Sequence, residues 1–298
     1  MSFRTNKLAF VPLDDDGTAE TPIAEDAITE QDLIFEKDQD TLDSPLRVYR
    51  ASFAGRTVAV KEMSYEDQAS LKQFKYEKYI QKKLNDLQVP NIATYYGYQV
   101  TDETFSIVME YGARTLGDWL DCSLADPGDI NALTQASAIP VLRDVTRAVA
   151  GMHEQRIVHY DIKDSNILLT ENNIAKLIDF GFATELDASW SPSGMGTNGW
   201  APPEVYTAAY PCTEKVDVYS LSMVYWQCME ISLPRSDNIS VLARIRVDQP
   251  EQFVKTPPGM AKLIGRGWLR DPAQRPTATE MLSELEAHAV KSVVVPKN

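Results

Sequence analysis

The chain has 298 residues, and its 43 Asp and Glu against 29 Lys and Arg give a formal charge of −14; a broad basic face for nucleic acid or anionic lipid is therefore excluded as an expectation. Three scattered cysteines (Cys122, Cys212, Cys228) and only three histidines make neither a disulfide framework, nor a CxxC metal knuckle, nor a histidine-rich metal site. No run approaches the ~18 apolar residues of a membrane span and the opening MSFRTNKLAF has no apolar signal core, so the sequence predicts a protein without a membrane span in a reducing, cytoplasmic compartment.

Taken in chain order, residues 1–45 hold twelve acids against Arg4, Lys7 and Lys37. Between Pro12 and Thr29 the only large aliphatics are Leu13, Ile23 and Ile28, too few to offset the entropy of ordering the chain. Residues 1–29 are thus expected to be a solvated, unfolded leader, with a folded domain over 30–290 and a short tail at 291–298.

From residue 30 the pattern turns globular. Leu33–Glu36, Leu46–Phe53 and Thr57–Met63 are rich in β-formers and read as strands, with Gly55 in the turn between the last two. In Ser70–Leu87 the residues Leu71, Phe74, Ile80 and Leu84 recur near helical spacing, and Ile92–Gln99 and Thr104–Glu110 then read as extended. After Gly112 the signal becomes helical. Pro140 is expected to open a helix carrying Leu142, Val145, Val149 and Met152 on one face, with further helices at Val216–Ile231, Gly259–Leu269 and Thr277–Ala289.

An ordered set of short motifs is threaded through these elements. They are VAVK (58–61), FKYE (74–77), VMEYG (108–112), HYDIKDSN (159–166), DFG (179–181), GTNGWAPPE (196–204), DVYSL (217–221) and DPAQRP (271–276). Each alone is weak, but the series in this order and spacing resembles the eukaryotic-type protein kinase domain, and most resembles its tyrosine-kinase-like branch of Ser/Thr kinases. The resemblance implies an α+β, bilobal fold. An antiparallel sheet with one helix would span about 30–110, and a mainly helical lobe about 113–290.

It also implies roles. Lys61 would hold the α- and β-phosphates of ATP, fixed by Glu77. Asp161 would orient the substrate hydroxyl and take its proton, with Lys163 reaching toward the γ-phosphate, while Asn166 and Asp179 would ligate Mg²⁺ or Mn²⁺. The adenine would sit between Val48 and Ala59 above and Leu168 below, paired with the backbone of Glu110 and Gly112, behind Met109. His159 and His153 are expected to be packed structural histidines. Glu204 with Arg275 resembles a buried ion pair, and Asp217 a helix acid that holds the catalytic-loop backbone.

Three departures qualify the resemblance. Where the phosphate-covering loop should carry three glycines, the run TLDSPLRVY places Thr41, Asp43 and Leu46. Glycine there lets backbone N–H groups close over phosphate, so weak ATP binding is expected. The arginine of the catalytic loop is Tyr160, which removes the positive charge that would receive an activation-segment phosphate. The residue four after Glu77, ordinarily apolar, is Gln81. The reading is a Ser/Thr protein kinase acting on protein hydroxyls, with an atypical lid, no need for activation-segment phosphate and room for a regulatory protein partner. The alternative is a pseudokinase scaffold or allosteric partner with weak or absent ATP binding. A small-molecule kinase of related fold would not be expected to carry GTNGWAPPE.

Overall fold

The computed structural model describes residues 26–35, 47–64, 68–101, 104–186, 196–206, 212–232 and 253–293. Strands β1 (Leu33–Phe35), β2 (Arg47–Phe53), β3 (Arg56–Ser64), β4 (Tyr95–Val100) and β5 (Thr104–Glu110) form one sheet in the order β1-β2-β3-β5-β4. Every pairing is antiparallel. The β2–β3 hairpin closes through Ala54 and Gly55, both with left-handed φ (48° and 75°), the twist that short hairpin turns favour. Side chains alternate along the strands. Ala59 and Lys61, opposite Met109 and Ile107, therefore share one face, while Val58, Val60 and Val108 share the other.

Helix α1 (Gln68–Asp86) covers the first face, with Phe74 stacked on Phe105 at 4.9 Å between ring centroids. Short Asp26–Thr29 and strand β1 serve the second face. Ala27 bridges Tyr98 of β4, the Ile28 N–H donates to the Tyr98 carbonyl at 2.8 Å, and the Ile28 side chain is buried with Leu33, Ala51, Val58 and Val108. The Tyr95 hydroxyl donates to Asp26 at 2.8 Å. Gly97 makes the approach feasible, since a Cβ there would lie 2.4 Å from the Asp26 carbonyl oxygen. The segment thus straps the sheet from one edge to the other. This corrects the leader's boundary: residues 26–29 are docked, because Ile28 finds its backbone partner Tyr98 seventy residues away and packs on residues as distant as Val108, which local composition does not register. Residues 1–25 and 294–298 lie outside the described residues.

The second half is built on helices. Among the described residues they are α2 (Leu116–Ala125), α3 (Gln135–Glu154), the single turn α4 (Pro203–Tyr206), α5 (Lys215–Glu230), α6 (Pro258–Gly267) and α7 (Ala278–Val293). Leu142, Val145, Val149 and Met152 of α3 are all fully buried in one continuous core, as their spacing predicts. Pro140 does not open that helix. Thr134 caps it, its hydroxyl accepting the Ser137 N–H at 3.1 Å, and Pro140 lies in the interior. An interior proline removes a helical hydrogen bond to the residue four before it, here Ala136, which is exposed and can turn its carbonyl to water.

Small β elements carry the functional loops between these helices. They are β6 (Arg114–Thr115), β7 (Ile157–Val158), β8 (Ile167–Leu169), β9 (Ala175–Leu177) and β10 (Thr184–Glu185). β8 pairs with β6 on one side and β9 on the other, and β7 pairs with β10. The halves are stitched at β9. Ala93 N–H donates to the Leu177 carbonyl and Leu177 N–H to that of Asn91, at 3.1 and 2.8 Å.

Candidate active site

Lys61 projects from the central strand β3 between two carboxylates, one buried and one partly exposed. Its Nζ lies 2.6 Å from Glu77 Oε1 on α1 and 2.8 Å from Asp179 Oδ1, just beyond β9. Burial alone would depress the Lys61 ammonium, but the two carboxylates outweigh it and hold its pKa above the ordinary lysine value. Asp179 is only partly buried; desolvation would raise its pKa, but attraction to Lys61 outweighs it and keeps its carboxyl below the usual range. For Glu77, desolvation wins over Lys61 and raises the pKa. Its second oxygen, Oε2, is buried without a hydrogen-bond partner among the described residues.

The loop after β7 is shaped by an acid from α5. Asp217 is fully buried and accepts the N–H groups of His159 and Tyr160 at 2.8 and 2.9 Å, with His153 Nε2 at 2.9 Å. Those bonds hold Tyr160 at φ 64°, a left-handed conformation costly for a bulky residue. The turn it makes presents Asp161. Asp161 Oδ1 accepts the Thr197 hydroxyl at 2.6 Å and Oδ2 accepts Lys163 Nζ at 2.8 Å, while Lys163 Nζ also donates to Thr197 Oγ1 at 2.9 Å. Asn166 Nδ2 donates to the Asp161 carbonyl and to Oδ2, at 2.9 and 3.1 Å. Gly196 lets Thr197 come this close, since its φ is 101° and a Cβ there would sit 3.0 Å from the Tyr160 carbonyl oxygen. Asp161, Lys163, Asn166 and Thr197 are thus one cluster, and Lys61, Glu77 and Asp179 another.

The residues expected around the adenine lie on strands next to Lys61 and at the passage from β5 to the helical half. Val48 pairs with Lys61 across β2 and β3, Ala59 with Met109 across β3 and β5, and both Ala59 and Met109 are buried. A Cβ on Gly112 would come within 2.3 Å of Leu168, so this glycine lets the chain pass over β8. The backbone N–H of Glu110 is taken by the Thr94 carbonyl at 2.8 Å. The Glu110 carboxylate accepts from Thr94 N–H, Thr94 Oγ1 and Lys176 Nζ at 3.0, 2.9 and 3.0 Å. Burial would raise its pKa, but these bonds prevail and lower it.

His159 is fully buried, with Nε2 3.1 Å from the Ile178 carbonyl and its ring 5.3 Å from that of Phe180. Gln81 is buried too, its amide nitrogen 3.8 Å from Met109 Sδ, a soft and weak acceptor. Arg275 grips Glu204 through two bonds of 2.5 and 2.9 Å, both side chains fully buried. The proposed lid positions Thr41, Asp43 and Leu46 lie outside the described residues, as do Ser189, Trp190, Ser191 and Ser193 of the activation segment. Sequence reasoning missed the Thr94–Glu110–Lys176 network and the contacts of Lys83 with Glu185, which join residues far apart in the chain and carry no local signature.

The sequence profile of the protein kinase domain matches residues 47–285, most of the chain and all of both clusters. The chain belongs to the protein kinase domain family. It is 29% identical over 254 residues to the serine/threonine/tyrosine-protein kinase HT1 of Arabidopsis thaliana, covering 81% of this chain and 63% of that one. With the serine/threonine-protein kinase STY17 of the same plant it shares 28% over 245 residues, 80% of this chain and 41% of the relative. With mitogen-activated protein kinase kinase kinase 3, also from Arabidopsis thaliana, it shares 33% over 242 residues, 76% of this chain and 38% of the relative. The chain therefore spans less than two thirds of the length of each. The kinase fold is bilobal and α+β, with the sheet and α1 as one lobe and the helical half as the other, and the family uses ATP and a divalent metal ion. No helix among the described residues is long and apolar enough to cross a membrane.

Proposed function

We propose that this kinase domain transfers the γ-phosphoryl group of ATP to serine and threonine hydroxyls of proteins. The observation that carries this reading is the triangle of Asp161, Lys163 and Thr197, each within 2.9 Å of the next. Phosphoryl transfer asks for positioned charge rather than covalent help. Asp161 is held in place by Asn166, Lys163 and Thr197, ready to orient an incoming hydroxyl and take its proton as the oxygen bonds to the γ-phosphorus and ADP departs. Lys163 lies beside it to balance phosphate charge, and Lys61, fixed by Glu77, would hold the α- and β-phosphates.

The metal would be Mg²⁺ or Mn²⁺, between Asn166 and Asp179. The donor set fits, because Mg²⁺ binds through one or two protein oxygens plus substrate phosphates. No group of three or more His, Cys, Asp or Glu among the described residues forms a protein-only cage. Asn166 spends its Nδ2 on Asp161, which leaves the amide oxygen for a hard cation. A bound ion would neutralise charge on the phosphates.

Two features set the regulation we propose. Tyr160 is buried against Val158, Val205 and Val216 where a phosphate-receiving arginine would stand, so activity should not depend on phosphate in the activation segment. The glycine-free run at 41–46 should weaken ATP binding. Protein substrates, a regulatory partner and a cytoplasmic location belong to the same reading.

Purified protein with Mg²⁺, γ-labelled ATP and a general protein substrate, run beside Asp179→Asn, tests it. Label on serine and threonine from the wild type and none from the variant is expected. Label mainly on tyrosine would overturn the specificity. Transfer indistinguishable from Asp179→Asn would favour the pseudokinase scaffold.

A further inference from the structure

We propose that Lys83 and Glu185 form a latch that locks α1 onto the start of the activation segment and so positions Glu77 and Asp179 around Lys61, in the place of a phosphate. Lys83 Nζ lies 2.5 Å from Glu185 Oε1, and the same oxygen accepts the Tyr79 hydroxyl at 3.0 Å. One turn earlier on α1, the Tyr76 hydroxyl lies 3.3 Å from Thr184 Oγ1 and accepts the Glu185 N–H at 3.3 Å. Three side chains of one helix therefore converge on the two residues of β10. The far side of β10 is pinned independently, by pairing with β7 and by the Leu186 N–H on the Arg156 carbonyl at 2.8 Å.

The placement gives the latch its leverage. Lys83 is six residues after Glu77 on one rigid helix, and Glu185 is six residues after Asp179 on the segment that leaves the site. Joining Lys83 to Glu185 therefore fixes the distance between the two carboxylates that grip Lys61. An ordering phosphate works through charge-assisted bonds to a basic group; here the negative charge is a carboxylate, permanently present. Both latch side chains are one-third exposed, so the ion pair is of the kind that salt screens. Its hydrogen bond to Glu185 also raises the pKa of Lys83 above the ordinary lysine value.

The inference rests on the kinase reading, and the test separates the two. Lys83→Met and Glu185→Gln should each lower kcat about tenfold, about 1.4 kcal/mol of barrier, with thermal midpoint and KM for the protein substrate nearly unchanged. The double variant should be no worse than either single one. The exchange Lys83→Glu with Glu185→Lys should restore at least half the rate. Amide hydrogen exchange at Thr184–Leu186 should speed up in both single variants and recover in the exchanged pair, a readout needing no activity. Full activity in the single variants, additive losses in the double, or exchange rates like the wild type would overturn the latch. If the wild type transfers no phosphate, the kinase reading fails, and the exchange measurement alone still decides whether the latch exists.

Discussion

The two lobes hold their share of the site by different means. In the helical lobe, the buried charges that shape the site are well paired: Asp217 binds two backbone N–H groups and His153, and Arg275 and Glu204 meet through two bonds, in a lobe with a large continuous apolar core. In the sheet lobe the apolar residues divide into small clusters on either face, and α1 reaches the site through few polar contacts, of which Lys61 with Glu77 is the only deeply buried ion pair among the described residues. Breaking a buried pair leaves an uncompensated charge, whereas loosening a half-exposed one costs little. The lower half of the site is therefore rigid by construction, and the upper half is where activity can be tuned.

The sharpest break in the rigid half is chemical. Asp161→Asn keeps the shape of the cluster but removes the proton acceptor, and kcat should fall at least a thousandfold, about 4 kcal/mol of barrier. Single-turnover assays with circular dichroism as a fold control would check it, and a fall below tenfold would deny Asp161 the role of base. Next, Arg275→Met should cost about 3 kcal/mol of stability by stranding Glu204. A urea melt showing less than 1 kcal/mol would mean that the helical lobe is not fixed as described.

The upper half should respond in smaller steps and in both directions. Gln81→Leu exchanges a buried amide with only a sulfur partner for an apolar side chain, and should stabilise the protein by about 1 kcal/mol. A destabilising result would mean that the amide makes a bond that Leu cannot replace. Lys176→Met should cost less, under about 1 kcal/mol near pH 7, by removing one donor from Glu110. Because the folded Glu110 pKa is lowered, the stability it contributes is fully present above the ordinary Glu value of about 4.3 and is lost as pH falls through the depressed one. The difference between wild type and variant should therefore shrink in melts taken below about pH 4. A gap that persists there would point to lost packing of the lysine stem instead.

Legibility followed the range of the interactions. The catalytic loop could be read because its chemistry is local: Asp161, Lys163 and Asn166 lie within six residues, and all three meet in space. The hairpin of β2 and β3 and the buried stripe of α3 were likewise written in periodicities of two and near 3.6. The start of α3 was misplaced because a proline was weighted as an opener over the capping threonine six residues ahead of it. Ile28 and the partners of Glu185 were not legible at all. The backbone partner of Ile28 lies 70 positions away and the side-chain partners of Glu185 about 100, and nothing in their immediate neighbours marks them.

The strap over the sheet has a further consequence, for how one molecule meets another. An edge strand offers a row of unpaired N–H and C=O groups onto which a strand of a second chain can add. β4 is such an edge, and Asp26–Ile28 occupies part of it, the Tyr98 carbonyl taking the Ile28 N–H and the Tyr98 N–H donating to Asp26. At the opposite edge β1 is only three residues long, too short to template much. A chain shortened to begin at residue 30 would lose the cover on β4 and bare the apolar side chains that Ile28 shields. The same few residues that an acidic, loosely composed stretch would seem able to spare thus guard the sheet against pairing with its own copies.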